Sequence, residues 1–366
     1  MRQPVHVLTG ATGLLGAALA LELATTTDSE IVCLVRPGQQ PPGARLRTAL
    51  AAAAEAYALA PELRERAVDR PLAVPADFTA DACGVDARAL PRAAEVEFWH
   101  LAGRLALPWR QRRQAFAGNL ATTRRALALA RAAGTTAFTY VSTAHVAGAA
   151  EGPVPERLVT AARPRNPYEA GKIAAERLVG RQLDFRVRIL RPGLLIGHST
   201  TLAHPGRGGA LAAVQRALAA HARRHPAGPG AADGTTLHLL ARPEAHLNLV
   251  PVDHVAREAA EIGRARGAGV FHLTNAAPPT TGEVLRALAA NAGTTAAFVT
   301  GEEDLTEAER HLHRLLRAYV PYATTAQRFR RDRTDAVVAD PARAAHPLGH
   351  DELRARFRPW ARPCGR

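Results

Sequence analysis

Lysine is almost missing from this chain. Its 366 residues include 47 Lys and Arg together, and Lys172 is the only lysine among them. The two cations solvate a surface about equally well, but a guanidinium does not replace a compact ammonium on a flexible stem where one is needed. The retained amine stands four residues after Tyr168, beside a phenol that it would serve. Either a bias toward Arg left one survivor by chance, or this position requires an amine. Cysteine is also scarce. Cys33, Cys83 and Cys364 are too few and too scattered for a disulfide framework or a metal site, which points to a reducing cytoplasm. No run of 18 or more apolar residues marks a membrane span. The N-terminus lacks a basic stretch followed by an unbroken apolar block, because Gly10, Thr12 and Gly13 interrupt it; the chain is expected to be cytoplasmic and complete. Acidic residues are outnumbered, 33 against 47, for a formal charge of +14. Such an excess suits an acidic partner: nucleic acid, a phosphorylated cofactor or a carrier protein. The Arg residues are spread out, however, with no zinc-finger spacing, RNP-like segment or basic tail, so nucleic acid is not expected.

What is present is ordered. Val5 to Thr9 reads as a short buried strand, followed by Gly10-Ala11-Thr12-Gly13-Leu14-Leu15-Gly16 and an apolar stretch to about Ala24. That is strand, glycine turn and helix. Gly10 allows the tight turn, Gly13 lets backbone approach a pyrophosphate, and Gly16 lets the helix pack closely. The helix start offers unpaired N–H groups to phosphates. A second strand, Ile31 to Val35, ends at Arg36 where an NAD enzyme usually carries a carboxylate. A guanidinium there suits a 2′-phosphate, so NADP(H) is expected, with Arg36 as reader and Arg45 as a second contact. Val68 to Ala76 is expected to hold a third strand, placing Asp77 and Phe78 against an adenine ring. Glu97 to Gly103 reads as a fourth strand running into a turn where Leu101, Ala102 and Gly103 approach the cofactor. His100 is either a catalyst or a packed strand-end residue. A helix from about Gln111 to Ala133, closed by Gly134, contains Asn119, which either faces the cleft or is simply exposed.

Ala137 to Val141 is the next strand and delivers Ser142 and Thr143 to its C-terminal end, where ligands sit in open parallel sheets. A helix beginning near Tyr168 puts Tyr168 and Lys172 on one face. A cation about 5 Å from a phenol, at an effective dielectric near 20, favours phenolate by roughly 3 kcal/mol, which lowers its pKa by about two. Tyr168 is then expected to act as general acid to a carbonyl or general base to an alcohol, with Thr143 bonding the same oxygen.

These strings together resemble the extended short-chain dehydrogenase/reductase family over roughly residues 5 to 275. Within it they look most like the thioester-reductase and fatty-acyl-reductase branch, on Leu34-Val35-Arg36-Pro37, Val141-Ser142-Thr143-Ala144-His145-Val146-Ala147-Gly148, Arg191-Pro192-Gly193 and Phe271-His272-Leu273-Thr274-Asn275. The resemblance implies a Rossmann-type, doubly wound parallel α/β sheet with a smaller, mostly helical C-terminal substrate lobe. The first domain would span 1–198 with 249–275 returning to it, and the lobe 199–248 with 276–366. It further implies Thr143, Tyr168 and Lys172 as the catalytic set, Asn119 as a possible fourth member, and Pro192 and Gly193 against the nicotinamide. Family dehydratases carry an acidic pair after the catalytic Thr; here Ala144 and His145 stand instead, which argues against dehydration. The expected reaction is NADPH-dependent reduction of a carbonyl or thioester to an aldehyde or alcohol, in a biosynthetic pathway, on a small-molecule, CoA-bound or carrier-bound substrate. A sugar-nucleotide or sterol dehydrogenase or epimerase, and an NADPH-binding sensor, remain alternatives. A homodimer follows by analogy only. Arg207, Arg216, Arg223 and Arg224 are either contacts for a phosphopantetheine or carrier, or a solvated helix face. Tyr319, Pro321 and Tyr322 either line a pocket or pack. Glu302 to Arg317 reads as one charged helix, and the tail from Phe357 as loosely ordered.

Overall fold

Strands rich in Val, Leu and Phe, buried on both faces, can only pair inside a layer of helices. The computed structural model, which describes residues 4–159, 162–206, 208–226 and 235–361, has this arrangement. The first four strands are β1 (Val5–Thr9), β2 (Glu30–Val35), β3 (Leu72–Pro75) and β4 (Val96–His100). Then come β5 (Ala137–Val141), the short β6 (Gly152–Val154), β7 (Arg186–Pro192), β8 (Leu194–Ile196), β9 (Thr235–Leu240), β10 (Leu249–Pro251) and β11 (Gly269–Leu273). Seven of these form one parallel sheet in the order β11-β7-β5-β4-β1-β2-β3. The order reverses between β1 and β4, the switch point where a ligand crevice opens in such sheets.

Helix α1 (Leu14–Thr26) follows β1 and is buried along nearly its whole length. The pair α2 (Pro42–Ala56) and α3 (Pro61–Asp69) joins β2 to β3. Val68 lies inside α3, which ends at Asp69, so the third strand is shorter than its apolar run suggested: Pro61 at the helix start carries the segment as helix that far. The expected helix from Gln111 to Ala133 is broken into α4 (Arg112–Phe116), a π-turn at Ala117–Ala121, and α5 (Thr122–Ala132). Gly118 lies under Arg104, where an added Cβ would come within 2.5 Å of the Arg104 Cβ. Helix α6 (Pro167–Val179) begins with Pro at its first position and Asn166 as cap, its side chain accepting from the Glu169 N–H.

Beyond the sheet, α7 (Ala210–Arg224), α8 (Val252–Arg264) and α9 (Thr281–Asn291) follow. Val255, Ala256 and Ala259 of α8 join the core around α1. A separate apolar core gathers Val214, Leu218, Leu237, Leu239, Leu288 and Phe357 around the parallel pair β9 and β12 (Thr294–Val299). The expected helix at Glu302 starts later: a 3₁₀ turn at Glu302–Asp304 precedes the Thr306/Glu309 capping box, which sets the start of α10 (Glu307–Leu316). Then come α11 (Val320–Thr324), β13 (Gln327–Phe329) and α12 (Asp332–Asp335). Strand β13 pairs with β6, and Arg331 forms a buried bridge to Glu258 of α8. Residues 327–335 thus lie against the sheet side of the molecule. As far as Ala361 the tail is helix, not loose chain: in α13 (His350–Ala361) Phe357 is fully buried and stacks on Trp360; residues 362–366 lie outside the described residues. Among the described residues no helix is long and apolar enough to cross a membrane.

Candidate active site

The glycine turn is built by close approach. Gly10 has φ +77°, and an added Cβ would sit 2.8 Å from the Ala102 nitrogen. A Cβ on Gly16 would lie 2.0 Å from the Gly10 carbonyl oxygen, so the first turn of α1 rests on the loop itself rather than on the strand. The Gly13 N–H donates to that oxygen at 3.0 Å. Gly13 caps α1 without any side-chain hydrogen bond, leaving the first N–H groups of the helix for a ligand. Thr12 sits half-buried at the loop's crest. This cradle fits a dinucleotide pyrophosphate.

Opposite it, Thr9 Oγ1 accepts from the Leu101 and Ala102 N–H groups, each at 3.1 Å, and hangs the β4 turn beside the loop. His100 spans Thr9 at 2.8 Å and Thr123 at 3.1 Å. It is fully buried, and burial pushes its pKa down to about 3. His100 therefore packs, as a neutral tie between strand and helix. Asn119, at the centre of the π-turn, is buried. Its amide donates to the Arg104 and Ala115 carbonyls, and its oxygen accepts from the Arg104 N–H. Its polar atoms thus brace the Gly103–Arg104 turn.

At the end of β2, Arg36 is exposed, and Arg45 donates to its carbonyl at 2.6 Å. The two guanidinium-bearing residues share that corner. Asp77 forms a turn with Thr79, whose N–H and O–H both reach Oδ1, holding the carboxyl below its usual pKa; Phe78 packs against the core beneath.

Lys172 is buried and donates to the Val141 carbonyl at 2.8 Å. Its Nζ lies 4.8 Å from the Tyr140 ring centre and 6.0 Å from that of Tyr168. Burial lowers its pKa to about 8, against the opposing charge of Glu176. The expected lowering of the Tyr168 phenol is not found. Burial raises its pKa above the ordinary phenol range, and the neighbouring Glu169 charge adds to the rise. The amine is turned to Val141 and Tyr140, and its own charge is weakened by the same burial. Thr143 Oγ1 accepts from the His145 N–H at 3.3 Å, while the buried Ser142 hydroxyl has no partner among the described residues. Gly193 is pressed on Asn248, whose Oδ1 would lie 2.4 Å from an added Cβ. Asn248 and Asn275 are tied by two reciprocal bonds of 2.8 and 3.0 Å.

One cavity of about 540 Å³ takes in Gly10, Gly13, Leu14, Leu15 and Gly16, then Leu101 and Gly103, and then Thr143, Tyr168, Lys172, Pro192 and Gly193. Arg36, Arg45, Asp77, Phe78, Thr12, Ala102 and Asn119 do not line it. The cavity continues into the region of α7, β9, α9 and α10, where its walls are Leu211, Val214, Leu239, Leu247, Leu288 and Leu316. Tyr319 and Tyr322 line it too. Arg207 lies outside the described residues, and Arg223 and Arg224 are exposed at the end of α7.

Sequence reasoning missed the support behind Tyr168. Arg165 and Glu169 form a buried ion pair at 2.8 Å. The Tyr322 hydroxyl donates to Glu169 Oε1 at 2.8 Å and accepts from Asn166 Nδ2 at 2.8 Å. The Arg165 guanidinium lies 4.2 Å over the Tyr322 ring and reaches His145 Nδ1 at 3.3 Å. His145 is buried there, its pKa pushed down to about 3 by burial and by Arg165. The helix start was legible from Asn166-Pro167, but a partner 153 positions away has no local signal.

Among solved structures, the terminal R domain of the myxalamid PKS-NRPS pathway superposes with a TM-score of 0.75 at 23% identity, covering 97% of this chain and 89% of that one. A thiolation-reductase di-domain from an archaeal non-ribosomal peptide synthetase gives 0.71 at 15% identity, over 98% and 75%. UDP-glucuronic acid 4-epimerase from Bacillus cereus gives 0.60 at 14%, over 97% and 96%. At these identities the likenesses speak for the fold. No curated protein matches the chain. The NAD-binding family described as Male sterility protein matches residues 8–259, more than half of the chain. The chain is therefore a member of that family, within the extended short-chain dehydrogenases/reductases.

Proposed function

We propose that this protein is an NADP(H)-dependent reductase acting on the carbonyl of an apolar acyl thioester or aldehyde. The observation that carries this reading is the leucine-walled extension of the cavity beyond Thr143 and Tyr168. A nucleotide sugar needs cations to clamp its diphosphate. The deep walls offer none among the described residues; the cationic side chains lining the cavity are Arg104 and Lys172, and burial holds the His145 and His204 imidazoles below their usual pKa. An acyl chain fits those walls by burial alone.

The cofactor would lie on the Gly10–Gly16 cradle, with Arg36 and Arg45 at its adenosine 2′-phosphate and Pro192-Gly193 at its nicotinamide. Bound there, it supplies two electrons and a hydrogen to the carbonyl carbon. Tyr168 supplies the proton to the carbonyl oxygen, and Thr143 hydrogen-bonds that oxygen. A phenol with a raised pKa is fully protonated at neutral pH, which suits an acid in reduction and handicaps a base in alcohol oxidation. With a thioester, collapse of the protonated hemithioacetal expels the thiol and leaves the aldehyde. Lys172 steadies the developing negative charge and fixes the end of β5 through Val141.

The test is loss of NADPH absorbance with acyl-CoAs, carrier-bound thioesters and aldehydes, with UDP-sugars run in parallel. Consumption with acyl substrates, abolished in Tyr168→Phe while NADPH affinity stays within a few-fold, is expected. Turnover of UDP-sugars alone, or unchanged activity in Tyr168→Phe, defeats the reading. Arg36→Asp should shift the preference from NADPH toward NADH; an unchanged preference makes Arg36 a bystander.

A further inference from the structure

Between Glu97 and Glu151 the chain has no Asp or Glu, yet Arg104, Arg110, Arg112 and Arg113 crowd into one short run there. All four are exposed, and among the described residues none forms an ion pair. Arg47, Arg66 and Arg131, by contrast, each bridge to a surface carboxylate. Trp109 stands in the same run. It opens a 3₁₀ turn, Trp109–Gln111, just ahead of α4, and it is 55% exposed. No other Trp, Tyr or Phe among the described residues is exposed. A ring of that size left in water forgoes burial that the other aromatic side chains take at least in part.

The run lies at the mouth of the cavity. Arg104 and Leu105 line the cavity and are also exposed to solvent. The Arg104 guanidinium donates to Gln114 Oε1 at 3.1 Å, which brings α4 to the same rim. We propose that this strip holds the nucleotide end of a coenzyme A thioester, with Trp109 stacked on the adenine and Arg110, Arg112 and Arg113 neutralising the phosphates. This rests on the acyl reading of the cavity and assigns the thiol that carries the acyl group. A guanidinium fork matches phosphate oxygens, and any base stacks on an open ring. A nucleotide sugar has its phosphates beside the ring that reacts. Coenzyme A has them a whole pantetheine arm away from its thioester, at the mouth, where these cations stand. A protein carrier fits less well. A stable protein interface covers about 800 Å² on each side around a dry apolar centre, whereas the strip offers one ring and one leucine.

The experiment is calorimetric titration of the full-length protein with NADP+ saturating, so that the nucleotide end cannot enter the glycine cradle and no hydride is transferred. S-decanoyl-coenzyme A and S-decanoyl-pantetheine share the chain and the arm and differ in the phosphorylated nucleotide. Stacking one base on a ring changes affinity by roughly five- to 150-fold. In low salt the wild type should therefore favour the coenzyme A ester by about tenfold or more, and added salt should shrink that preference. In Trp109→Ala, and in the double variant Arg112→Ser with Arg113→Ser, the preference should fall to within about threefold while decanoyl-pantetheine binds as before. Equal binding of the two esters by the wild type, a preference that either variant keeps, or no binding of either ester overturns the proposal. So does turnover of a carrier-bound decanoyl thioester far faster than of the coenzyme A ester, which would make the strip a protein-docking face. The expected preference without NADPH consumption on either ester would instead count against the reductase reading and leave the nucleotide subsite standing.

Discussion

Because Lys172 is the chain's only lysine, its protonation can be watched without interference. Burial brings its pKa from 10.5 to about 8. Holding an ammonium that far below its usual value costs about 3 kcal/mol at pH 7. The sign follows from proton counting. Between pH 8 and 10.5 the unfolded chain keeps the proton and the native protein sheds it, so stability rises with pH across that window. Below pH 8 both states are protonated and the cost is constant. Integrated from pH 7 to 9.5, the gain is about 2 kcal/mol. The buried phenols of Tyr57, Tyr168 and Tyr322 act oppositely near pH 10, since their pKa values are raised, and they are present in any Lys172 variant. The measurement is therefore a difference: urea unfolding of wild type and Lys172→Met at pH 7, 8.5 and 9.5. The wild type should gain on the variant by about 2 kcal/mol over that range. Growth on isotopically labelled lysine gives one side-chain NMR signal, whose titration should centre near pH 8. A midpoint above 10 with a flat stability difference would show that the amine is not buried as described, and the account of the site built on it would fail.

Other outcomes follow from the same geometry. Gly16→Ala should weaken dinucleotide binding more than tenfold by fluorescence titration, since its Cβ meets the Gly10 oxygen at 2.0 Å; Gly13→Ala, with 3.3 Å to the same atom, should be milder. Equal effects would show that the loop yields freely. Tyr322→Phe leaves Glu169 and Asn166 each short of a buried partner and should cost about 1–3 kcal/mol in urea unfolding, with kcat falling more than KM rises. An unchanged kcat would reduce Tyr322 to a cavity wall.

The parts legible in the sequence were those with local signatures. Gly10, Gly13 and Gly16 announce their turn by spacing, and the strands of the sheet by short apolar runs. Tyr168 and Lys172 share a face by helical periodicity alone. The misreadings have physical causes. Val68 has the chemistry of a strand residue, but Pro61 had already committed the segment to helix. The π-turn around Asn119 comes from its bonds to Arg104, which are tertiary. The direction of the Tyr168 shift turned on where the Lys172 amine points, and spacing along a helix does not report that. Tyr322 owes its place at Glu169 and Asn166 to chain brought in from far away.

The support of α6 has a bearing on the order in which the molecule matures. Chain leaves the ribosome from its N-terminus, so the sheet through β7 and the helix bearing Tyr168 emerge well before Tyr322. Until that late hydroxyl arrives, Glu169 and Asn166 lack their closing contact, and Tyr168 stands on an unsecured first turn. A nascent chain can thus hold a finished glycine-loop cradle while the start of α6 still waits for residues about 150 positions downstream.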